Sequence, residues 1–226
     1  MNQLTIEPIA YIKTDFSEKF GVPRQSGRVQ SLTAKIIFTE KYNDKSAIRG
    51  IEGFSHIWLI FGFSLCTDYT WSPTVRPPRL GGNTRVGVFA SRSPFRPNNL
   101  GLSSVKLLSI TKDNELIVSG ADLVDGTPIY DIKPYLPFSD CHSDAVGGFA
   151  DQHSEYKLEV DIDEKLLNLI PQEKRQALID CLAEDPRPSY QNDDREYGMK
   201  FCSFNVRFFV DGKVLKVKSV EKFDCD

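Results

Sequence analysis

The side chains best suited to chemistry lie between Arg76 and Lys106, in the stretch RPPRLGGNTRVGVFASRSPFRPNNLGLSSVK. From Tyr69 to Lys112 the chain holds no aspartate or glutamate, yet it carries Arg76, Arg79, Arg85, Arg92, Arg96, Lys106 and Lys112. The whole protein has a net charge of -3. Soluble surfaces ordinarily intersperse both signs, so seven uncompensated cations in 44 residues mark one face for an anionic partner. Arginine's planar fork of donors fits carboxylate and phosphate oxygens two at a time. Directly after this interval, acidic groups return at Asp122, Asp125 and Asp131. Three carboxylates around a loop expected to face the arginines favour a functional reading over an Asp-Gly turn with capping carboxylates.

Backbone punctuation frames these side chains. Pro77, Pro78, Gly81, Gly82, Pro94, Pro97 and Gly101 fall around one apolar run, Val86 to Ala90. Proline fixes φ and removes a donor, while glycine permits positive φ and close approach of a ligand. The pattern predicts a short strand over 84–91 that ends in a rigid loop over 92–101. Further strands are expected at 6–13, 32–39 and 55–63, with a hairpin of 102–111 and 115–121 and another strand at 129–132. A short helix is expected within 42–54, after Asn43 or Asp44 as cap. Residues 20–27 (FGVPRQSG) form a polar turn carrying Arg24 and Gln25. His56 opens the most hydrophobic run without an acidic neighbour and reads as structural.

The turn-like VGGFADQ at 146–152 places a boundary near residue 150. Beyond it we expect a strand at 155–160, then helices at 163–170 and 171–184, the second with Leu178, Ile179 and Leu182 as its packing stripe. DPRPSY at 185–190 breaks the helix, and its Arg187 and Tyr190 suit RNA phosphate and base stacking respectively. The last hairpin, 200–210 with 213–222, turns at Asp211-Gly212. Strand count without βαβ alternation makes the chain mainly β.

With 226 residues and 40% hydrophobic content, the chain can bury a core without staples. Five cysteines, an odd number with no CxxC pair, indicate reduced thiols and exclude a disulfide framework or zinc knuckle. His142 beside Cys141 lacks further ligands at suitable spacing, so no metal is expected. The N-terminus has no signal-like apolar segment, and no run reaches membrane-spanning length. The expectation is a soluble, cytoplasmic protein with no membrane partner. No GxGxxG follows a strand, so a Rossmann nucleotide fold is not indicated.

RPPRLGG, RVGVFASRSPFRPNNLG and DLVDGTPIYDIKPYLPF together resemble the TrmO/TsaA family of tRNA methyltransferases, and the likeness extends from Ile9 to the DPRPSY and FNVRF segments. The resemblance implies a small single-sheet β-barrel over 1–150 that binds S-adenosylmethionine, a smaller α+β C-terminal lobe over 151–226, and a homodimer with its cofactor sites near the interface. It implies methylation of N6 of threonylcarbamoyladenosine beside the anticodon, in threonine tRNA for preference. It places Pro23, Arg24 and Gln25 at the cofactor pocket, with Phe63 and Ser64 approaching it and Arg92, Ser93, Pro94, Arg96 and Leu102 as its wall. Asp122, Leu123, Val124, Asp125, Gly126 and Thr127 would form the loop that closes it. Arg76, Arg79, Arg85 and Lys106 would take tRNA phosphates, and Asp125 or Asp131 is the candidate general base. The family usually reads Arg-Pro-Asn-Pro-Ile-Gly where Asn99 and Leu100 here replace the second proline and the isoleucine. The basic face alone is also compatible with a non-catalytic RNA-binding or regulatory module. A methyltransferase acting on a small metabolite is the other alternative.

Overall fold

Alternation of apolar and polar side chains builds the first half of the chain. In the computed structural model, which describes residues 4–66, 70–77, 80, 82–153, 156–188 and 195–223, this half forms eight strands. They are β1 (Ala10–Lys13), β2 (Thr33–Phe38), β3 (His56–Gly62), β4 (Thr74–Val75), β5 (Val86–Gly87), β6 (Leu100–Ile110), β7 (Leu116–Ser119) and β8 (Pro128–Pro134). Six of them pair in the order β1-β2-β7-β6-β3-β8, and β8 returns to β1 through Ala10 opposite Ile129, closing the sheet into a barrel. Closure satisfies the strand edges that an open sheet exposes. Ile12, Ile36, Ile57, Leu59, Val105, Leu116 and Ile129 fill the interior. The interior is therefore a packed core, and a ligand must bind outside it.

At the start of β6 the backbone crosses directly over a ring. A Cβ on Gly101 would lie 2.2 Å from Phe61, so only glycine fits there. The β6–β7 hairpin turns at Asn114, whose φ of 64° is left-handed, a conformation asparagine tolerates.

The second lobe contains β9 (Glu159–Asp161), α2 (Glu164–Leu167), α3 (Gln172–Ala183), β10 (Tyr197–Phe201), β11 (Phe204–Asp211) and β12 (Val214–Lys222), preceded by a single helical turn, α1 (Pro137–Asp140). Its sheet runs β10-β11-β12-β9, with β9 parallel to β12 and the other pairs antiparallel. Ala177, Leu178, Cys181 and Leu182 of α3 join Phe201, Val206, Phe208 and Leu215 in one core. Phe16, Val29 and Leu32, from the connection between β1 and β2, belong to that same core. The Phe16 ring meets Phe201 edge-on at 5.6 Å. Arg28 pairs with Glu184 at 2.8 Å and Lys174 with Asp15 at 2.6 Å. A boundary near residue 150 thus separates the two sheets but not the two cores.

Several expected elements differ. Over 42–54 there is no α-helix but two 3-10 turns, Glu40–Tyr42 and Ile51–Gly53. Of 40–54 only Ile48 is buried, too little apolar surface to hold a helix. The strand expected over 84–91 shrinks to β5, which among the described residues pairs only with Thr74 and Val75. The strand expected over 200–210 is two strands. Cys202, at φ 54°, turns the chain between β10 and β11 while its amide donates to the Asp15 carbonyl at 2.8 Å. Among the described residues no helix is long and apolar enough to cross a membrane.

Candidate active site

The loop after β5 is held from within. Arg96 donates through Nη1 to the carbonyls of Ser91 (2.7 Å) and Val88 (3.3 Å), and its guanidinium lies 5.8 Å from the Phe89 ring centroid. Ser93 Oγ accepts from the Phe95 amide, and the Pro94 carbonyl accepts from Arg96 N at 2.8 Å. Asn99 then ties the loop to the end of β3. Its Nδ2 donates to the carbonyls of Phe63 (3.2 Å) and Cys66 (2.9 Å), and its own carbonyl accepts from Phe63 N. Asn99 has φ 49°, which the ring of proline forbids. Side-chain bonds from Asn99 supply the restraint at the position where the related motif carries a proline.

Arg92, at the head of this loop, is exposed and donates through Nη1 to Gln25 Oε1 at 2.5 Å. Beside it, Asp122 accepts from Ser103 Oγ at 2.6 Å and from the Ser26 amide. Burial pushes the Asp122 carboxyl above its ordinary value, although these bonds and the nearby Arg92 charge oppose the shift. An open cleft of about 450 Å³ adjoins this group on the outer face of the barrel. Ser26, His56, Trp58, Arg92, Leu102, Ser104 and Tyr135 line it. Strand alternation explains the set: Ile57 and Leu59 enter the core, so His56 and Trp58 face out, with Ser104 opposite Trp58 in the ladder.

Gln25, Arg92, Leu102 and Asp122 are therefore brought together. The remaining expectations are redistributed. Pro23 and Arg24 line a separate cavity of about 330 Å³ against the end of α3, and Arg24 Nη2 donates to the carbonyls of Asp185 and Arg187. Phe63 packs edge-on against Phe61 at 5.2 Å, and Ser64 sits in an exposed turn. Ser93, Pro94 and Arg96 shape the arginine loop from inside it.

Beyond Asp122, the loop is an anchor rather than a lid. Leu123 is in the barrel core, and Thr127 Oγ1 donates to the Val124 carbonyl at 2.7 Å. Gly126 N donates to the Ile12 carbonyl at 2.8 Å. Asp125 is engaged at both oxygens, by Lys13 Nζ and by the Thr14 amide, each at 2.8 Å. Asp131 pairs with Lys133 at 3.0 Å and accepts from its neighbour Ile132 N. Neither carboxylate lines the cleft, so neither has the position of a base acting there.

Arg76, Arg85 and Lys106 are exposed, as phosphate contacts require. Arg187 is not: it is 6% exposed and gripped through Nε and Nη2 by the Asp185 carboxylate at 2.9 and 3.0 Å. It braces the chain after α3 instead of meeting RNA. Arg79 and Tyr190 lie outside the described residues.

The model of the tRNA-methyltransferase O N-terminal domain matches residues 11–141, and that of the TrmO C-terminal domain matches residues 155–223. This chain belongs to the tRNA-methyltransferase O family. It is 40% identical over 233 residues to a tRNA (adenine(37)-N6)-methyltransferase of Escherichia coli K12, covering 98% of this chain and 99% of that relative. Another protein of that name, from Eikenella corrodens, is 46% identical over 171 residues, covering 74% and 97%. Among solved structures, TrmO from Pseudomonas aeruginosa has a TM-score of 0.81 at 30% identity, covering 97% of this chain and 99% of that one.

A Pseudomonas aeruginosa relative, 37% identical over 213 residues, is named as a putative S-adenosylmethionine-dependent methyltransferase, and the residues here fit such a cofactor. The half-buried Asp122 carboxylate suits hydroxyls or a positive group, Arg92 suits a carboxylate, and Leu102, 55% exposed, gives an apolar wall. The cleft's volume lies in the ordinary range for small-ligand sites. Sequence reasoning missed Ser26, Trp58, Ser104 and Tyr135, and it gave His56 only a structural role. For His56 and Trp58 the available signal was alternation inside SHIWLIFGF, hidden because its outward positions are also apolar or aromatic. Because the folded-state pKa of Asp122 is raised, its contribution to stability is full below the unfolded carboxyl pKa and is lost as pH rises through the folded value. Asp122→Asn, which can still accept from Ser103, should therefore be more stable than the wild type at neutral pH. Urea denaturation at several pH values should show the difference closing as pH falls into the acid range.

Proposed function

We infer that this chain is an S-adenosylmethionine-dependent methyltransferase acting on N6 of adenine 37, beside the anticodon of tRNA. The observation that carries this reading is the near-full-length likeness to the Escherichia coli relative named for that activity. The cofactor supplies a methyl group on a cationic sulfur that departs as a neutral thioether. Methyl transfer of this kind gains most of its rate from alignment of nucleophile and methyl carbon, and rigid side chains serve that purpose. Arg92, fixed by Gln25, would take the cofactor's carboxylate. Asp122 places negative charge beside Ser26 and Ser103, and Leu102 excludes water from the wall. Arg76, Arg85 and Lys106 hold tRNA phosphates, a binding mode that weakens steeply with salt.

The same proposal includes an acceptor that already carries the threonylcarbamoyl group, threonine tRNA being the preferred molecule. In plain adenine the N6 lone pair is delocalised into the ring. Between purine and urea carbonyl, the N6 proton is more acidic and easier to remove. Bound water or the substrate itself takes it, since Asp125 and Asp131 are committed elsewhere. Residues 1–150 carry the chemistry and residues 151–226 brace it, in the cytoplasm, where tRNA is modified. Two copies pair near their cofactor sites, where Phe89 and Leu102 are 74% and 55% exposed. Light scattering should then give a mass of roughly twice the 25.5 kDa chain; a monomer at micromolar concentration removes that part.

Arg92→Ala should weaken S-adenosylmethionine binding by about 1.5–3 kcal/mol, the worth of a hydrogen bond to a charged group, measured by calorimetry on the folded variant. Two preparations of one threonine tRNA, differing only in the threonylcarbamoyl group, should differ sharply in methyl uptake from labelled cofactor. Equal rates would falsify the proposed acceptor.

A further inference from the structure

One wall of the cleft has no part in the arrangement of Gln25, Arg92 and Asp122. The Trp58 indole ring lies 5.4 Å from that of Tyr135 at an angle of 42°, and the His56 ring lies 6.2 Å from that of Tyr135. All three line the cleft. The indole is fixed in place: its Nε1 donates to Asp140 Oδ2 at 2.8 Å, and the Leu136 amide donates to the same oxygen at 2.9 Å. Asp140 closes α1, the single turn that follows Tyr135. A tryptophan on the outer face of a barrel strand needs no such clamp for packing. The clamp sets the ring plane in an open, partly polar cleft.

We propose that the Trp58–Tyr135 wall is the stacking seat of the acceptor adenine, and that Asp140 is a positioning residue that sets the indole for it. This rests on the reading of the chain as a tRNA adenine methyltransferase. Enzymes that modify a base take it out of the helical stack and hold it against aromatic or apolar side chains. Face-on stacking suits this reaction because it leaves the edge that bears N6 free in the plane of the ring. The groups suited to the cofactor's amino-acid end and hydroxyls gather instead where 25–26, Arg92 and Asp122 meet. The aromatic rings come from β3 and from the corner between β8 and α1. The bonds from Leu136 and Trp58 also hold the Asp140 carboxyl below its usual range, so the clamp stays charged at neutral pH.

The chain has two tryptophans, so Trp71→Phe leaves Trp58 as the single indole, excited selectively at the red edge where tyrosine does not absorb. Its fluorescence is followed while S-adenosylhomocysteine is added, and then an anticodon stem-loop carrying threonylcarbamoyladenosine. Saturable quenching by the stem-loop, and none by S-adenosylhomocysteine alone, is expected. Quenching by S-adenosylhomocysteine alone, or none with a stem-loop that anisotropy shows to be bound, overturns the proposal. In steady-state kinetics, Trp58→Ala and Asp140→Ala should raise KM for tRNA by about ten-fold or more, in the range for a lost base stack. The cofactor Kd should stay unchanged. Asp140→Asn should restore KM, because a carboxamide oxygen can accept from both Trp58 and Leu136. An unchanged KM for tRNA in both alanine variants, or a shift confined to cofactor binding, sinks the assignment. A wild-type protein that methylates no tRNA fails the underlying reading instead, and that outcome is visible before any variant is made.

Discussion

The structure depends on the burial of Phe16, Val29 and Leu32 in a core that is otherwise built by the last third of the chain. Their segment leaves the barrel after β1 and returns to it at β2. Each such side chain contributes about 1.5–3 kcal/mol on burial, and together they outweigh the exposed ion pairs at the surface, which contribute little. At Gly21, where a Cβ would overlap the Met199 side chain at 2.5 Å, the segment passes too close to β10 for any other residue. As it returns, the Gly27 amide donates to the Gly120 carbonyl at 2.8 Å. Gln25 and Ser26, just before that bond, are thereby delivered to Arg92 and Asp122. The second lobe thus bears on the site through the segment it holds.

Seven cations in one interval suggest a uniform basic face, but the fold gives them different work. Arg96 turns inward and replaces the missing hydrogen bonds of its own loop. Arg85 donates to Thr74 Oγ1 at 2.7 Å across the two-stranded β4–β5 ribbon and stays exposed. Arg92 stands at the cleft. Desolvation makes the difference: a guanidinium with backbone carbonyl partners can be half-buried, whereas one without them stays in water.

Because the barrel interior is filled by aliphatic side chains, chemistry is confined to its outer surface and to the loops beside it. A site of that kind needs rigid support from elsewhere. Asn99 binds the arginine loop to the end of β3, the anchored 125–127 turn fixes the residues after Asp122, and Asp140 fixes Trp58. Each tie joins residues distant in sequence, and each ends on a backbone carbonyl, a backbone amide or an indole. Such partners cost little entropy to immobilise.

Local pattern was enough to reveal the strands of the barrel, the hairpin at Asn114, the apolar stripe of α3 and the concentration of arginines before β6. These follow from side-chain period, turn chemistry and charge, which operate between near neighbours in the chain. Gln25, Arg92, Leu102 and Asp122 were marked instead by the resemblance of their motifs to the family, and the fold sets them near one another. What the chain's order could not disclose was which carboxylate lies beside Arg92. Asp122, Asp125 and Asp131 are alike as residues, and they are separated only by contacts with Ser103, Lys13 and Lys133. Nor could it show that Arg187 is buried, that 14–32 belongs to the far core, or that Trp58 faces outward. Those outcomes are set by strand register and by packing between segments more than a hundred residues apart, and no local pattern encodes such distances.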